Sequence, residues 1–441
     1  MITPLEVKKV LTDLIRNAAS HSAPFVNNPD KDMTRNRKCT FEKTVGLILN
    51  FEDHSLKSEI LNYFDDPSQS ILKSSFVKQR AKINDTFFPW LFHSFNAAIP
   101  CHKKYNGYAL ACCDGSDLNL PPDKNDTENF VQYASKNGGY YQKHLNALYD
   151  PINNRFLDAI IQPRPVFQEA SALCEMVRRY DNPEPTIFLA DRGYQSFNLM
   201  ATIIENNQFF LIRAKDLRSS SSFLKHVQLP PEGEFDMDCT LMLTRSHKKN
   251  YLKHPETYKV LHRNRRFDFL DINDFDGVYT MNIRIVCTKI GDGTYEYLLT
   301  NLQRNKFSTQ DLKELYHIRW TLETAFRYIK YAFCMVFFHS RKRAFIDQEI
   351  YARMIMFNFT SVLYSLAEKR LGTQKPSPKR KWEQHISFES ASGIARKYLK
   401  RQMSNDTIIA LLLTYKSPVR PGRKAYRNVK SQTAKSLNNR A

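Results

Sequence analysis

The chain has 441 residues, of which 42% are hydrophobic and 25% are charged. This length predicts two to four folding units, and the composition excludes a largely disordered or fibrous protein. The longest uncharged apolar stretch, Met354 to Ala367, is too short and too polar to cross a bilayer, and no charged segment followed by an apolar run opens the sequence. We therefore expect a soluble, unexported protein.

The charge balance is strongly basic. Lys and Arg outnumber Asp and Glu by 65 to 45, which gives a net charge of +20. Residues 368–441 hold 18 Lys and Arg against four Asp and Glu. An excess of this size is typical of proteins that bind a polyanion, and its position at one end of the chain indicates a docking region. Nucleic acid is the expected partner.

The first hundred residues have a helical pattern. Thr3-Pro4-Leu5-Glu6 combines a capping-box spacing with proline at the first helical position, which predicts a helix start. Apolar periodicity predicts further helices over Phe41 to Phe51 and Ile71 to Phe95. The pattern alone favours a plain helical bundle and a DNA-binding domain equally.

A change of period begins near residue 108. A short apolar run from Tyr108 to Cys113 predicts a buried strand that ends at Asp114-Gly115-Ser116. The elements predicted next are a hairpin of Leu145 to Tyr149 and Phe156 to Ile161, a helix over Phe167 to Arg179, and strands at Thr186 to Ala190 and Gln208 to Arg213. This order predicts a mixed sheet covered by helices.

Residues from about 215 to 302 interrupt that pattern with turn residues and with predicted strands at Ile283 to Lys289 and Tyr295 to Leu302. Helices return over Thr309 to about Cys334 and over Ala344 to Ala367. The predicted division of the chain has five parts. They are a helical region at 1–99, the first part of a sheet-containing core at 100–214, a β-rich insertion at 215–302, the second part of the core at 303–367 and a basic helical C-terminal region at 368–441.

Four polar residues in the first of those helices share one stripe. At 100° per residue, Tyr316, Arg319, Glu323 and Lys330 lie within about 60° of one another, beside a broad apolar face. Helical geometry alone favours a solvated helix face with ordinary charge pairs over a functional stripe.

Two aspartates each follow a predicted buried strand and stand close to a glycine: Asp114 and Asp191. Ligands bind at the carboxyl ends of strands in open α/β sheets, although a single such Asp is more often a turn or a helix cap. With Glu323 they suggest a three-carboxylate pocket. Oxygen ligands suit Mg²⁺ or Mn²⁺, and such cations serve phosphodiester chemistry. Asp117 could support the acids, but an exposed turn residue is favoured, and no catalytic role is assigned to His144.

The spacing Tyr-x2-Arg-x3-Glu-x6-Lys at 316, 319, 323 and 330, together with Asp191-Arg-Gly-Tyr194, resembles the insertion-sequence-four family of bacterial DDE transposases. The resemblance covers residues 108 to 340, and the flanking regions match only in size and character. It implies an α/β fold with a ribonuclease H-like core: a mixed five-stranded sheet with flanking helices, interrupted by the β-rich insertion. Residues 1–99 would then bind the transposon ends.

The resemblance also implies roles for the site residues. Asp114, Asp191 and Glu323 would hold two Mg²⁺ ions, for which Mn²⁺ may substitute, and Tyr316, Arg319 and Lys330 would bind phosphates at the transposon end. Water would nick the DNA, and the freed 3′-hydroxyl would attack the opposing strand and later the target. In some relatives a base flips onto an aromatic residue of the insertion, whereas the tryptophans of this chain lie at 90, 320 and 382, outside it.

The predicted function is therefore cut-and-paste transposition. The partners would be double-stranded DNA, as terminal inverted repeats and as target, and a second copy of the chain in a synaptic complex. The expected location is the cytoplasm, in association with the nucleoid. Two alternatives remain: a catalytically silent DNA-binding protein derived from a transposase, and a nuclease without strand transfer.

Overall fold

A computed structural model describes residues 2–35, 37–133, 138–215, 223–230, 233–255, 257–274, 276–291, 294–372 and 382–418. The α-helices in these residues are α1 Pro4–Ser20, α2 Phe41–Leu49, α3 Leu56–Tyr63, α4 Lys73–Arg80, α5 Phe87–Ala98, α6 Glu169–Arg178, α7 Phe197–Glu205, α8 Lys249–Leu252, α9 Thr309–Ile318, α10 Thr321–Tyr331, α11 Arg343–Gly372, α12 Phe388–Lys400 and α13 Asn405–Thr414. The strands are β1 Ala109–Asn119, β2 Phe130–Gln132, β3 Gly139–Asp150, β4 Arg155–Pro163, β5 Thr186–Ala190, β6 Phe209–Arg213, β7 Phe235–Thr244, β8 Tyr258–Val260, β9 Val278–Gly291, β10 Thr294–Thr300, β11 Gln384–Ile386 and β12 Lys416–Pro418. Two stretches of the predicted basic C-terminal region, 373–381 and 419–441, lie outside the described residues.

The N-terminal elements are helical, as predicted. The Thr3 side chain accepts a hydrogen bond from the Glu6 amide, and Glu6 accepts one from the Thr3 amide at 2.7 Å, so the capping box is confirmed. The single helix predicted over residues 71 to 95 is wrong, because α4 and α5 are separate. Between them Ile83 forms a β-bridge with Val26, and this bridge takes the backbone out of the helix.

The central sheet has ten strands in the described part of the chain, twice the predicted number. Its order is β2-β3-β1-β5-β6-β10-β9-β7-β8, with β4 paired to β3. The prediction of five strands was wrong in number because β10, assigned to the insertion, pairs with β6 and so joins β9, β7 and β8 to the same sheet. Within it, β4-β3-β1 are antiparallel, and β1, β5 and β6 are mutually parallel.

Both faces of the sheet are covered by helices. Alternate residues of β1 show the two sides, since Leu110 and Cys112 belong to one apolar cluster and Ala111 and Cys113 to the other. The first cluster also contains side chains from α1, α2, α5 and α9 to α13, whereas the second contains α6 and α7. The N-terminal helices therefore share a core with the sheet, through the long helix α11. No helix in the described ranges combines the length and apolarity needed to span a bilayer.

A buried charge network joins the N-terminal helices to α11. Arg80 of α4 is 1% exposed, and its guanidinium lies 2.9 Å from Oε1 of the fully buried Glu349. The second oxygen of Glu349 lies 3.0 Å from Nδ1 of His339, whose Nε2 is 3.3 Å from Glu59. Burying such groups is costly unless they are paired, so removal of a single member of the network should weaken the packing between the two regions.

The network makes folding stability depend on pH. Burial alone would lower the pKa of His339, but Glu349 and Glu59 raise it above its ordinary value. A histidine whose pKa is raised by folding stabilises the protein fully below its unfolded pKa of about 6.5, and this contribution is lost as the pH rises through the folded-state pKa. We expect the urea midpoint of the wild type to exceed that of His339→Gln by less at pH 9 than at pH 6. An equal difference at both pH values would contradict the assignment.

Candidate catalytic site

The two aspartates lie side by side at the sheet. β1 runs parallel to β5 with Cys113 opposite Ala190, so Asp114 in β1 and Asp191, the first residue after β5, follow a paired position of adjacent strands. The strand predicted at Thr186 to Ala190 is confirmed. The predicted end of β1 at Asp114 is wrong: β1 continues to Asn119 because it stays paired with β3 after it separates from β5.

Glu323 reaches the same edge of the sheet from α10. The single helix predicted from Thr309 is two helices, α9 and α10, which are separated by Arg319 and Trp320. The backbone of Arg319 remains helical at this junction, so the polar stripe is preserved across it. Glu323 lies 3.6 Å from Arg319, which lies 3.6 Å from Asp114, and Tyr316 contacts Asp191. The three acids, which are 77 and 132 residues apart along the chain, are therefore linked through Arg319 and Tyr316.

Arg319 lies between two of these acids. Its side chain is 3% exposed, and its guanidinium nitrogens lie 3.6 Å from Asp114 Oδ2 and 3.6 Å from Glu323 Oε1. The predicted DNA-binding residue Arg319 thus contacts the acids themselves. The guanidinium is a fixed positive charge within the acidic group.

The other two stripe residues also face the acids or their strand. The Tyr316 hydroxyl donates to Asp191 Oδ1 at 3.4 Å, and burial together with Asp191 raises the pKa of Tyr316. The Lys330 ammonium donates to the backbone carbonyl of Asp117 at 2.9 Å, and burial lowers its pKa. The whole stripe is therefore directed at the edge of the sheet where Asp114 and Asp191 lie.

Negative charge is concentrated at Asp114. Burial raises the pKa of this carboxyl to about 6, with Asp191 and Glu169 raising it further, while the Gly115 amide and Arg319 lower it. Because Asp191 and Glu169 disfavour the charged form of Asp114, a nearby cation would stabilise these carboxylates. The donor set consists of oxygen atoms only, which is the ligand type preferred by Mg²⁺ and Mn²⁺.

The chemistry of the acids therefore fits a divalent cation, but their spacing is wider than that of a closed metal site. Among the described residues, no three His, Cys, Asp or Glu side chains are grouped closely enough to hold one ion. Arg319 occupies the position between Asp114 and Glu323. Coordination by all three acids would require that guanidinium to withdraw.

A second set of polar side chains lies beside the acids, and its arrangement was not predicted from the sequence. Asp117 is a half-buried residue of β1, which corrects the expectation of an exposed turn. Its Oδ1 lies 2.7 Å from His144 Nδ1 and 2.8 Å from Arg164 Nε, and His144 Nε2 lies 3.3 Å from Glu169 Oε1. Pairing of β1 with β3 places Asp117 opposite His144. The sequence of either strand alone does not specify this register.

A cleft of about 520 Å³ opens beside the stripe. Trp320, which is 43% exposed, and Tyr316 supply aromatic surface. The remaining lining residues are Arg213, Ile290, Glu296, Gln310, Lys313, Glu314 and His317. The cleft thus combines aromatic, cationic and acidic side chains next to the three acids.

Comparisons with known proteins identify the family. No curated protein matches the chain. Among solved structures, a match is the cryo-EM structure of a piggyBac transposase synaptic complex with hairpin DNA, at 11% identity and a TM-score of 0.44, covering 100% of this chain and 88% of that one. The family model for the transposase DDE domain matches residues 105–359, which include all three acids and more than half of the chain. The chain belongs to the transposase DDE domain family.

Proposed function

We propose that the protein is a cut-and-paste DNA transposase of the insertion-sequence-four type. It cleaves DNA at the terminal inverted repeats of its element and joins the freed 3′-hydroxyl to target DNA. The observation that carries the proposal is the arrangement of Asp114, Asp191 and Glu323 around Arg319. The strand order β4-β3-β1-β5-β6, with antiparallel and parallel parts in that sequence, supports a ribonuclease H-like core.

Two Mg²⁺ ions, or Mn²⁺ in their place, would be held by Asp114, Asp191 and Glu323 and would supply charge neutralisation and a nucleophile at neutral pH. The remaining functions, which are to position the acids and to bind the DNA, belong to residues of the chain. Asp114 and Asp191 are fixed by adjacent strands, which sets their separation. Tyr316 holds Asp191 through its hydroxyl. Arg319, which now contacts the acids, would move from them to bind a phosphate of the DNA.

In the first step a water oxygen bonds to phosphorus as the phosphodiester bond to the 3′-oxygen breaks, which leaves a 3′-hydroxyl. In the later step that hydroxyl attacks a phosphorus of the target and displaces a 3′-oxygen, so the number of phosphodiester bonds is unchanged. The cleft beside Trp320 and Tyr316 has the aromatic and cationic side chains that hold single-stranded DNA. We further propose that two copies of the chain bind two transposon ends in one synaptic complex, in association with the nucleoid.

The main alternative is a silent DNA-binding protein. The presence of Asp114, Asp191 and Glu323 disfavours it, because three acids beside the single guanidinium of Arg319 leave an excess of negative charge that repels DNA unless divalent cations are bound. Binding alone requires none of them. A nuclease without strand transfer is disfavoured by the complete stripe of Tyr316, Arg319, Glu323 and Lys330.

The test uses the purified full chain and a DNA fragment carrying the inverted repeats that flank its gene, with a supercoiled plasmid as target. With Mg²⁺ we expect cleavage at the repeat and end-joined plasmid, and with EDTA neither product. Repeat binding without cleavage would establish the silent protein instead. Cleavage without joining would establish the nuclease.

A further inference from the structure

Glu169 lies between the two aspartate motifs, at the first residue of α6. A methyl group added at Gly115 would lie 2.2 Å from His144 Nε2 and 2.7 Å from Glu169 Oε1, and one added at Gly193 would lie 3.0 Å from Oε2. The two carboxylate oxygens of Glu169 therefore each lie beside the glycine of one motif, Asp114-Gly115 and Asp191-Arg-Gly193. A side chain at Gly115 would collide with His144 and Glu169, and one at Gly193 would press tightly against Glu169, which gives a steric reason for glycine at both positions.

The position of Glu169 is fixed by a chain of polar contacts from the neighbouring strands. Nε2 of the buried His144 lies 3.3 Å from Oε1, and Nδ1 of His144 lies 2.7 Å from Asp117. Arg164 also contacts Asp117, at 2.8 Å, and holds that carboxylate in place. A carboxylate whose only role was to begin α6 would need none of these partners. The side chain remains 26% exposed, so it can reach a ligand.

We propose that Glu169 is a fourth acidic residue of the catalytic centre. It places a further negative charge beside Asp114 and Asp191 and thereby strengthens the binding of divalent cations there, and His144 acts as its positioning residue. The inference rests on the proposed function, because it concerns the cations which that function requires. The resemblance to known transposases covers this part of the chain but gave Glu169 no role.

The test measures cation binding directly with Mn²⁺ as the probe. Free Mn²⁺ is followed by electron paramagnetic resonance during titration of the full chain, as wild type and as Glu169→Gln. We expect the variant to bind Mn²⁺ about tenfold or more weakly, the size of effect seen when groups that support metal ligands are removed. Glu175→Gln is the matched control on the same helix, because Glu175 is exposed and contacts only Arg179 in the described structure.

Gly193→Ala supplies a second variant that leaves the charge of Glu169 in place. Its new methyl group would push against Oε2, so we expect weaker Mn²⁺ binding in the same direction as for Glu169→Gln. Affinity for inverted-repeat DNA without metal should be equal in all four proteins. Equal Mn²⁺ affinity of the wild type, Glu169→Gln and Gly193→Ala would overturn the inference. A wild type that bound no Mn²⁺ would count against the proposed function itself.

Discussion

Glu323→Gln should lower Mg²⁺-dependent cleavage at the inverted repeat by at least about 1,000-fold, because a bound cation contributes several kcal/mol to the reaction and about 1.4 kcal/mol corresponds to tenfold. The amide keeps the shape of the side chain but not its charge. Glu323 contacts Arg319 at 3.6 Å and is 35% exposed, so its loss disturbs no packed core. Affinity for the repeat should stay within about threefold, as measured by gel shift in EDTA.

The control for this variant is Glu175→Gln on α6, an exposed acid that pairs with Arg179 at 3.4 Å and does not line the cleft. It removes the same charge and should cleave like the wild type. Cleavage by Glu323→Gln at the rate of that control would remove Glu323 from the mechanism. A parallel loss of repeat binding would instead assign Glu323 to DNA contact.

Glu349→Gln should destabilise the fold by about 3–5 kcal/mol, because it leaves the guanidinium of Arg80 buried without its counter-charge. Burial alone would raise the pKa of Glu349, but His339 and Arg80 lower it to about 2, so the carboxylate is charged at neutral pH. The contact lies between α4 and α11 and joins the N-terminal helices to the rest of the core. Urea unfolding followed by circular dichroism measures the loss.

Asp13→Asn provides the surface control, since Asp13 and Arg16 form an exposed pair at 3.3 Å and such pairs contribute about 1 kcal/mol or less. The double variant Arg80→Met with Glu349→Leu should recover part of the stability, because it removes both buried charges together. A loss below about 1 kcal/mol for Glu349→Gln would show that the network does not join the two regions.

Local patterns predicted the elements that carry the acids. The run Thr186 to Ala190 has strand residues bounded by turn residues, and the strand begins and ends there. The helical stripe of Tyr316, Arg319, Glu323 and Lys330 survives the junction of α9 and α10, since the backbone keeps a helical conformation at Arg319. Local sequence patterns were sufficient to predict the strand and the helical stripe, because each depends only on residues that are close together in the sequence.

Features that depend on distant pairing were missed. In the described residues, β7, β8 and β9 belong to the central sheet because β10 pairs with β6, some 85 residues earlier along the chain. Glu169 and His144 meet near Gly115 because β3 pairs with β1 in a particular register. The sequence of neither segment specifies its partner. Gly115 and Gly193, which stand close to Asp114 and Asp191, did indicate that side chains are not accommodated at these two positions.

The most direct measurement is crystallographic: the full chain bound to pre-cleaved inverted-repeat DNA with Mn²⁺, with data collected at the manganese absorption edge. We expect anomalous peaks within coordinating distance of Asp114, Asp191 and Glu323. We also expect Arg319 to have moved from between the acids to a phosphate of the DNA. Peaks elsewhere, or Arg319 still paired with Asp114 and Glu323 beside bound DNA, would contradict it.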